Sequence, residues 1–441
     1  MDNYQSWGHN PKVQNARVDR IGWRHELPDL EQYVGTVLPR GLGRSYGDSC
    51  LNGGGTLLDM TGMRRFITFD QQSGLLRCEA GVTLADVLDV VVPRGWFLPV
   101  TPGTKYVTIG GAIANDIHGK NHHAAGTFGR YVTQFELLRS DGSKQICSPV
   151  ENAELYHATI GGLGLTGLIT WAEFTLRKIP GPYIDSENIR FGSIEEFFDV
   201  TEEDKNFEYT VAWVDCVTTG KGLGRGVYMR GNHSQRPYQP IKPELKLTVP
   251  LNFPEFVLNR FTARAFNEAL YRVYQRTPRS QKVVLYRPFF YPLDIALEWY
   301  RLYGKRGFFQ YQFVVPYTDN YRAIKEILNR IARSGEGSFL GVLKKFGDMT
   351  SPGMLSFPRP GVTVALDFPN NGARTLRLFE DLDMVVRSVG GAVYPAKDGR
   401  MSAESFQCYY PNWREFSQYI DPKFSSSFWR RVTAPTNGGK S

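Results

Sequence analysis

The residues with the clearest chemical potential sit in three glycine-rich stretches, GLGRSYGDSCLNGGG (41–55), PGTKYVTIGGAIANDIHGKNHHAAGTFG (102–129) and GGLGLTG (161–167). Glycine lets main-chain amides come close to a phosphate, and runs of such amides make anion-binding concavities. The third stretch contains a GxGxxG pattern at Gly162, Gly164 and Gly167. In a dinucleotide fingerprint that pattern follows a strand and opens a helix. Here the predicted helix precedes it and the predicted strand follows, so a nicotinamide-type nucleotide fold is excluded. No GxxxxGK[ST] occurs, which excludes a P-loop. What remains is a pyrophosphate threaded between strand ends.

Other polar residues stand out by type and spacing. Lys397 in YPAKDGR is either a surface lysine paired with Asp398 or a buried catalytic group. Gln310 and Gln312 alternate on one strand face, so both amides can reach one pocket or face solvent together. Lys344 can meet a phosphate or be a solvated lysine at a helix end. Tyr46, His118, Lys120, Trp213 and Tyr394 are further wall candidates. His118, His122 and His123 cluster in DIHGKNHH, but Gly119 argues against a helix there and no HExxH is present. A packing or pocket-lining role is expected, and no metal centre.

The elements that must position these groups are short strands and tight turns in the first third. GTLLDM (55–60), RFITFD (65–70) and LLRCEAG (75–81) are predicted strands. Thr83 with Asp86 forms a capping box for LADVLDVVV, which Pro93 ends. FELLRSDGSKQICS (135–148) is a predicted hairpin turning at Asp141-Gly142. ENAELYHATIGG (151–162) is a predicted helix, and LITWAEFTLRKI (168–179) a predicted strand running to Pro180. Beyond a boundary near Pro180 the spacing predicts strands at 209–217, 308–317 and 362–369 and amphipathic helices at 321–335 and 373–391. The fold class is α+β.

Composition bounds the rest. The 441 residues allow two or three domains. No secretory leader and no long apolar run is found, and the five cysteines are scattered without a CxxC pair. A reducing, cytoplasmic setting is expected. The net charge of +8 is concentrated: residues 221–282 hold twelve Lys/Arg against three Glu. Apolar residues are interleaved, as in LTVPLNFPEFVLNRF (247–261). That mixture suits an anionic membrane surface or a lipid phosphate, or it is a solvated loop region. No nucleic-acid motif accompanies the charge, so nucleic acid is not an expected partner.

PRGLGRSYGD (39–48), PGTKYVTIGGAIANDIHGKNHH (102–123) and the helix–GGLGLTGLI turn (151–169) together resemble the vanillyl-alcohol-oxidase superfamily of flavoproteins. Within it the chain is similar to the decaprenylphosphoryl-β-D-ribose 2′-oxidase group. FFQYQFVVP (308–316), SFLGVLKKFG (338–347), VALDFP (364–369) and YPAKDGRMSAESF (394–406) extend the resemblance over nearly the whole chain.

The resemblance implies a PCMH-type FAD-binding domain made from residues 1–179 and 392–441, with an antiparallel-sheet substrate domain, 180–391, inserted between. From the first loop, Gly41, Gly43, Arg44, Ser45, Tyr46 and Gly47 are implied to hold FAD. From the second come Pro102, Gly103, Thr104, Thr108, Gly110 and Gly111, then Asn115, Ile117, His118, Gly119 and Asn121. Gly167, Ile169 and Tyr394 complete the cofactor set. Many relatives link the flavin covalently through a histidine after the loop arginine. Ser45 follows Arg44 here, so FAD is expected to be non-covalent.

The implied reaction moves a hydride from a secondary sugar hydroxyl to the flavin and a proton to a base. The implied substrate is a polyprenyl-phosphate pentose oxidised at its 2′-hydroxyl, the first half of an epimerisation that an NAD(P)H-dependent short-chain reductase completes. With the resemblance, Lys397 becomes the first choice for the catalytic group, with His118 next and Tyr46 beside them. Gln310, Gln312, Lys344, Trp213, Thr363 and Ala365 would bind substrate. Actinobacterial members carry cysteine and asparagine where Ala365 and Thr363 stand, which leaves the exact sugar open. A soluble alditol or aldonolactone oxidase, and a flavin-free binding module for lipid phosphates, are the competing readings. Peripheral contact with the inner membrane through 221–282 is expected.

Overall fold

The computed structural model describes residues 4–241, 246–275, 277–317 and 321–435. Lys242, Glu244 and Arg276 of the basic segment lie outside these residues, as do the two ends of the chain.

The local signals of the first third become structure where side chains can satisfy the backbone. Thr83 Oγ1 accepts from the Asp86 N–H at 3.1 Å while the Asp86 carboxylate accepts from the Thr83 N–H at 2.9 Å. This box starts the helix Leu84–Val91, whose Leu84, Val87, Leu88 and Val91 are buried. Gly142 adopts φ +79° and the hairpin Val132–Leu138/Lys144–Cys147 turns around it. The hairpin belongs to a five-stranded antiparallel sheet, ordered Phe66–Asp70, Leu75–Glu79, Leu168–Thr175, Val132–Leu138, Lys144–Cys147. A three-stranded parallel sheet, Arg17–Arg20, Thr56–Asp59, Val37–Arg40, lies beside it in the chain. The strand expected to continue to residue 179 stops at Thr175. Arg177–Lys178 leaves the sheet to pair with Trp96–Phe97.

Eight antiparallel strands make the large sheet. Their order is Arg279–Leu285, Tyr183–Phe191, Gly226–His233, Tyr209–Val214, Gly341–Phe346, Gly361–Pro369, Phe308–Val315 and Ala392–Val393. One face packs on the helices Arg322–Ser334 and Ala373–Ser388. Ile324, Ile327, Leu328 and Ile331 meet Phe313, Val364 and Leu366 there. Each such side chain contributes roughly 1.5–3 kcal/mol by leaving water. Because side chains alternate along a strand, the residues between these apolar ones point to the other face. Lys344 is on the strand Gly341–Phe346, which corrects the helix-end alternative for this residue. No helix among the described residues is long and apolar enough to cross a membrane.

Candidate active site

The second face of the large sheet forms one wall of a cavity of about 570 Å³. Register brings its polar residues together. Gln310 stands opposite Asp367, Gln312 opposite Ala365, and Lys344 opposite Thr363. Trp213 joins them from the next strand and donates its indole N–H to the Phe339 carbonyl at 3.1 Å. The facing wall is built by the glycine-rich loops.

Gln310 Nε2 donates to Asp367 Oδ1 at 2.5 Å. Gln312 Nε2 lies 3.0 Å from His118 Nε2 and 3.4 Å from Thr363 Oγ1. Tyr394 donates its hydroxyl to the Asn115 carbonyl at 3.0 Å, pinning the end of the helix Ile109–Ala114 to the sheet side. Lys397 follows Tyr394 in a turn closed by its own N–H to the Tyr394 carbonyl. Its Nζ sits 3.9 Å from the centre of the Tyr46 ring. Asp398 does not serve as its surface partner. That carboxylate is buried, accepts from the N–H groups of Arg400 and Met401, and meets Arg431 at 3.1 Å. Arg431 also grips Asp48 at 2.6 and 3.0 Å, fastening the helix Ser427–Val432 to the end of the first glycine loop.

Lys120, Lys344 and Lys397 thus share one cavity, and the electrostatics reflect it. Burial pushes Lys344 down to about 7, aided by the charges of Lys120 and Lys397. Burial pushes Lys120 down to about 8, and its Nζ donates to the Phe290 carbonyl at 3.2 Å. Burial lowers Lys397, while the Asp367 carboxylate opposes the fall. Burial raises Asp367, against its bond from Gln310 and the charge of Lys397. His118 is held well below the usual imidazole range by burial and then by Lys344, His122 and Lys397, so its ring is neutral. A lysine that loses its proton near neutral pH can take one from a hydroxyl, and those that keep theirs can hold an anion.

The predicted site residues are mostly brought together. Gly41, Gly43, Arg44, Ser45 and Tyr46 line the cavity, as do Pro102, Gly103, Thr104, Thr108, Gly110 and Gly111. So do Asn115, Ile117, His118, Gly119, Gly167, Ile169 and Tyr394, and from the sheet Trp213, Gln310, Gln312, Lys344, Ala365 and Lys397. Three stand behind the wall. Thr363 is fully buried under Gln312. Asn121 is buried and donates to the Pro99 carbonyl at 2.8 Å. Gly47 packs so closely that a Cβ there would lie 1.6 Å from the Asp398 carbonyl oxygen. His122 and His123 fall on a single helical turn, His122–Ala125, which the glycine before it did not suggest. His122 packs on Phe346, and His123 Nε2 lies 2.9 Å from the Phe207 carbonyl.

Two carboxylates at the site were not foreseen: Asp294, which lines the cavity, and Asp367, which is buried behind the lining residue Gln310. Asp367 extends the alternation of Thr363 and Ala365 by one more step, so the period of two was the signal for it. Asp294 accepts from the Lys105 N–H at 3.0 Å on an irregular turn, Pro292–Ile295, which has no such period.

The residues present fit a flavin dinucleotide. Gly103 faces open space, with nothing within 4 Å of a Cβ built on it. Gly43 takes φ +62°, turning the first loop back along the cavity. Among the described residues no main-chain acceptor meets the N–H groups of Gly43, Arg44 and Ser45. The buried His118 Nδ1 also has no partner. Such donors beside a half-buried Arg44 match a diphosphate, and the apolar and aromatic walls of Ile117, Ile169 and Tyr394 match a flat ring system.

Residues 29–148 match the family described as FAD binding domain. The chain is 39% identical over 414 residues to decaprenylphosphoryl-beta-D-ribose oxidase of Mycolicibacterium smegmatis, spanning 90% of this chain and 89% of that protein. It is 30% identical to the uncharacterized protein in the mprA 5′ region of Streptomyces coelicolor, over 80% of this chain and all of that one. Human delta(24)-sterol reductase is 32% identical over 121 residues, 27% of this chain and 23% of its own.

Proposed function

The chain is an FAD-dependent oxidoreductase that belongs to the family of decaprenylphosphoryl-beta-D-ribose oxidase, and from that premise we propose that it oxidises the 2′-hydroxyl of a polyprenyl-phosphate pentose to a ketone. The observation that carries this reading is the convergence of Lys120, Lys344 and Lys397 with Gln310 and Gln312 on one cavity beside the glycine loops. An anionic, hydroxyl-rich substrate matches that lining better than an uncharged alditol does.

FAD supplies the hydride acceptor when bound. Residues 41–46 and 103–119 would hold its diphosphate through main-chain N–H groups, and with Ser45 after Arg44 the hold would be non-covalent. Lys397, lowered by burial and steadied by the Tyr46 ring, receives the proton of the reacting hydroxyl. Gln310 and Gln312 orient the remaining sugar hydroxyls. Lys344, with Lys120 behind it, meets the phosphate. His118, kept neutral, accepts a hydrogen bond without adding charge. Ala365 offers no thiol, so compounds that act by modifying a cysteine at that position are without a target.

In this reading the chain up to residue 179 and the C-terminal segment hold the cofactor and 180–391 the substrate, and the strand Ala392–Val393 that opens the C-terminal segment sits at the edge of the large sheet. The keto sugar requires a reductase of the NAD(P)H-dependent short-chain class to complete an epimerisation. The test is anaerobic flavin bleaching by a panel of polyprenyl-phosphate pentoses against free sugars and aldonolactones. Rapid bleaching by the lipid-linked pentoses alone is expected. Bleaching by free alditols or lactones alone would replace this reading with a soluble-carbohydrate oxidase.

A further inference from the structure

Residues 238–273 carry half of the large apolar side chains that stand exposed among the described residues, including Leu247, Leu251, Phe256, Phe261 and Val273. Soluble surfaces rarely gather apolar groups this way without a partner. The helix Arg260–Val273 shows how the gathering arises. Its Ala263, Asn267 and Tyr271, spaced four apart, face the protein. Phe261, Ala265, Ala269 and Val273, also spaced four apart, form a second stripe, and all four are exposed. Arg260, Arg264 and Arg272 run alongside that outer stripe. Of the acidic groups on this surface, Glu255 is engaged by Arg306 at 2.6 Å and Glu268 by Arg225 and Arg272. The surface therefore presents apolar side chains in a field of net positive sign.

Part of the basic segment does not contribute. Arg230 is buried against Glu187, Glu203 and Asp204, and Arg279 is bound to Glu187, so charge counted along the sequence overstates the free surface charge.

This skin lies on the back of the cavity wall. Leu247–Thr248 pairs with Ala296–Leu297, and Ala296, Leu297 and Trp299 line the cavity. Phe253 N–H donates to the Arg301 carbonyl at 2.8 Å. Phe266 of the helix packs edge-on against Phe339, the neighbour of the cavity residue Leu340.

We infer that residues 247–273 are a docking surface for an anionic lipid bilayer, seating the cavity wall at the membrane from which a lipid-linked substrate is drawn. The outer stripe and Phe256 enter the headgroup boundary and the arginines meet lipid phosphates. The substrate clause rests on the proposed function; the membrane contact does not.

The experiment is vesicle flotation of the flavin-loaded protein, with vesicles of phosphatidylglycerol and phosphatidylcholine against pure phosphatidylcholine. Flotation with the anionic vesicles alone, weakened by salt, is expected. Arg264→Gln should weaken it about fivefold, and Phe256→Ser with Phe261→Ser should abolish it. These variants should keep their flavin and bleach normally with a short-chain, water-soluble substrate. Protein left at the bottom of the gradient, or double-serine protein that floats like wild type, overturns the inference. So does a dimer in sedimentation that the serine substitutions dissolve, since the stripe then meets a second copy. Vesicle binding without bleaching by any polyprenyl-phosphate sugar refutes the proposed substrate and leaves the docking surface standing; bleaching without vesicle binding does the reverse.

Discussion

Gln310 and Asp367 face each other across neighbouring antiparallel strands, and the glutamine amide donates to the carboxylate at 2.5 Å. The bond holds a negative charge within range of Lys397, whose ammonium it favours. Asp367 thereby opposes in part the lowering that burial imposes on the lysine proposed to receive the substrate proton.

Asp367→Asn removes that charge, so the Lys397 proton is lost more readily. The limb of the pH profile of kcat/KM that reports this lysine should move toward acid, with flavin binding unchanged. Steady-state assays across neutral to alkaline pH check it. An unmoved limb would show that the carboxylate does not act on Lys397.

Lys397→Met removes the proton acceptor and keeps most of the packing on Tyr46. Flavin reduction should slow about 10²- to 10⁴-fold, with the visible spectrum of the bound cofactor retained. Stopped-flow bleaching measures it, and a folded, loaded variant of undiminished rate would remove Lys397 from the mechanism.

The buried lysines also link stability to pH. Lys344 and Lys120 titrate at about 7 and about 8 in the folded chain, below the ordinary lysine value of about 10.4. Between these limits the unfolded chain binds more protons, so their contribution to stability rises with pH across that window. Thermal melts should show the wild type gaining more between pH 7 and 10 than Lys344→Met does.

Gly47→Ala places a methyl group 1.6 Å from the Asp398 carbonyl oxygen, a main-chain atom on a tightly bonded turn. Relief requires backbone movement, costing about 1–3 kcal/mol or more. Melting temperature and flavin content should fall together, whereas Gly103→Ala, with open space around it, should leave the melting temperature nearly unchanged.

Acid precipitation of the purified protein should leave a colourless pellet and a yellow supernatant, because Ser45 offers no imidazole for a bond to the flavin. Flavin retained in the pellet would contradict the non-covalent hold.

Much of this arrangement was legible because it depends on local chemistry. The capping box at Thr83, the turn at Asp141-Gly142 and the reversed order around Gly162–Gly167 are each decided by a few adjacent residues. The strand pattern likewise put Gln310 and Gln312 on one face. What escaped depends on pairing between distant segments. Asp367 becomes a site residue only when its strand lies beside Phe308–Val315, and Asp398 turns from Lys397 because Arg431 reaches it from the last helix. Lys344 looked equally suited to a helix end because LGVLKKF has no strict alternation; its strand is imposed by neighbours on both sides.

The fork of Arg431 onto Asp48 and Asp398 has a consequence for biosynthesis. The loop proposed to receive the dinucleotide is made early, but the side chain that fastens its end is translated hundreds of residues later. A nascent chain that has not yet exposed the helix Ser427–Val432 presents an unfinished cradle, so flavin capture should wait for that helix, and products cut short before it should accumulate colourless.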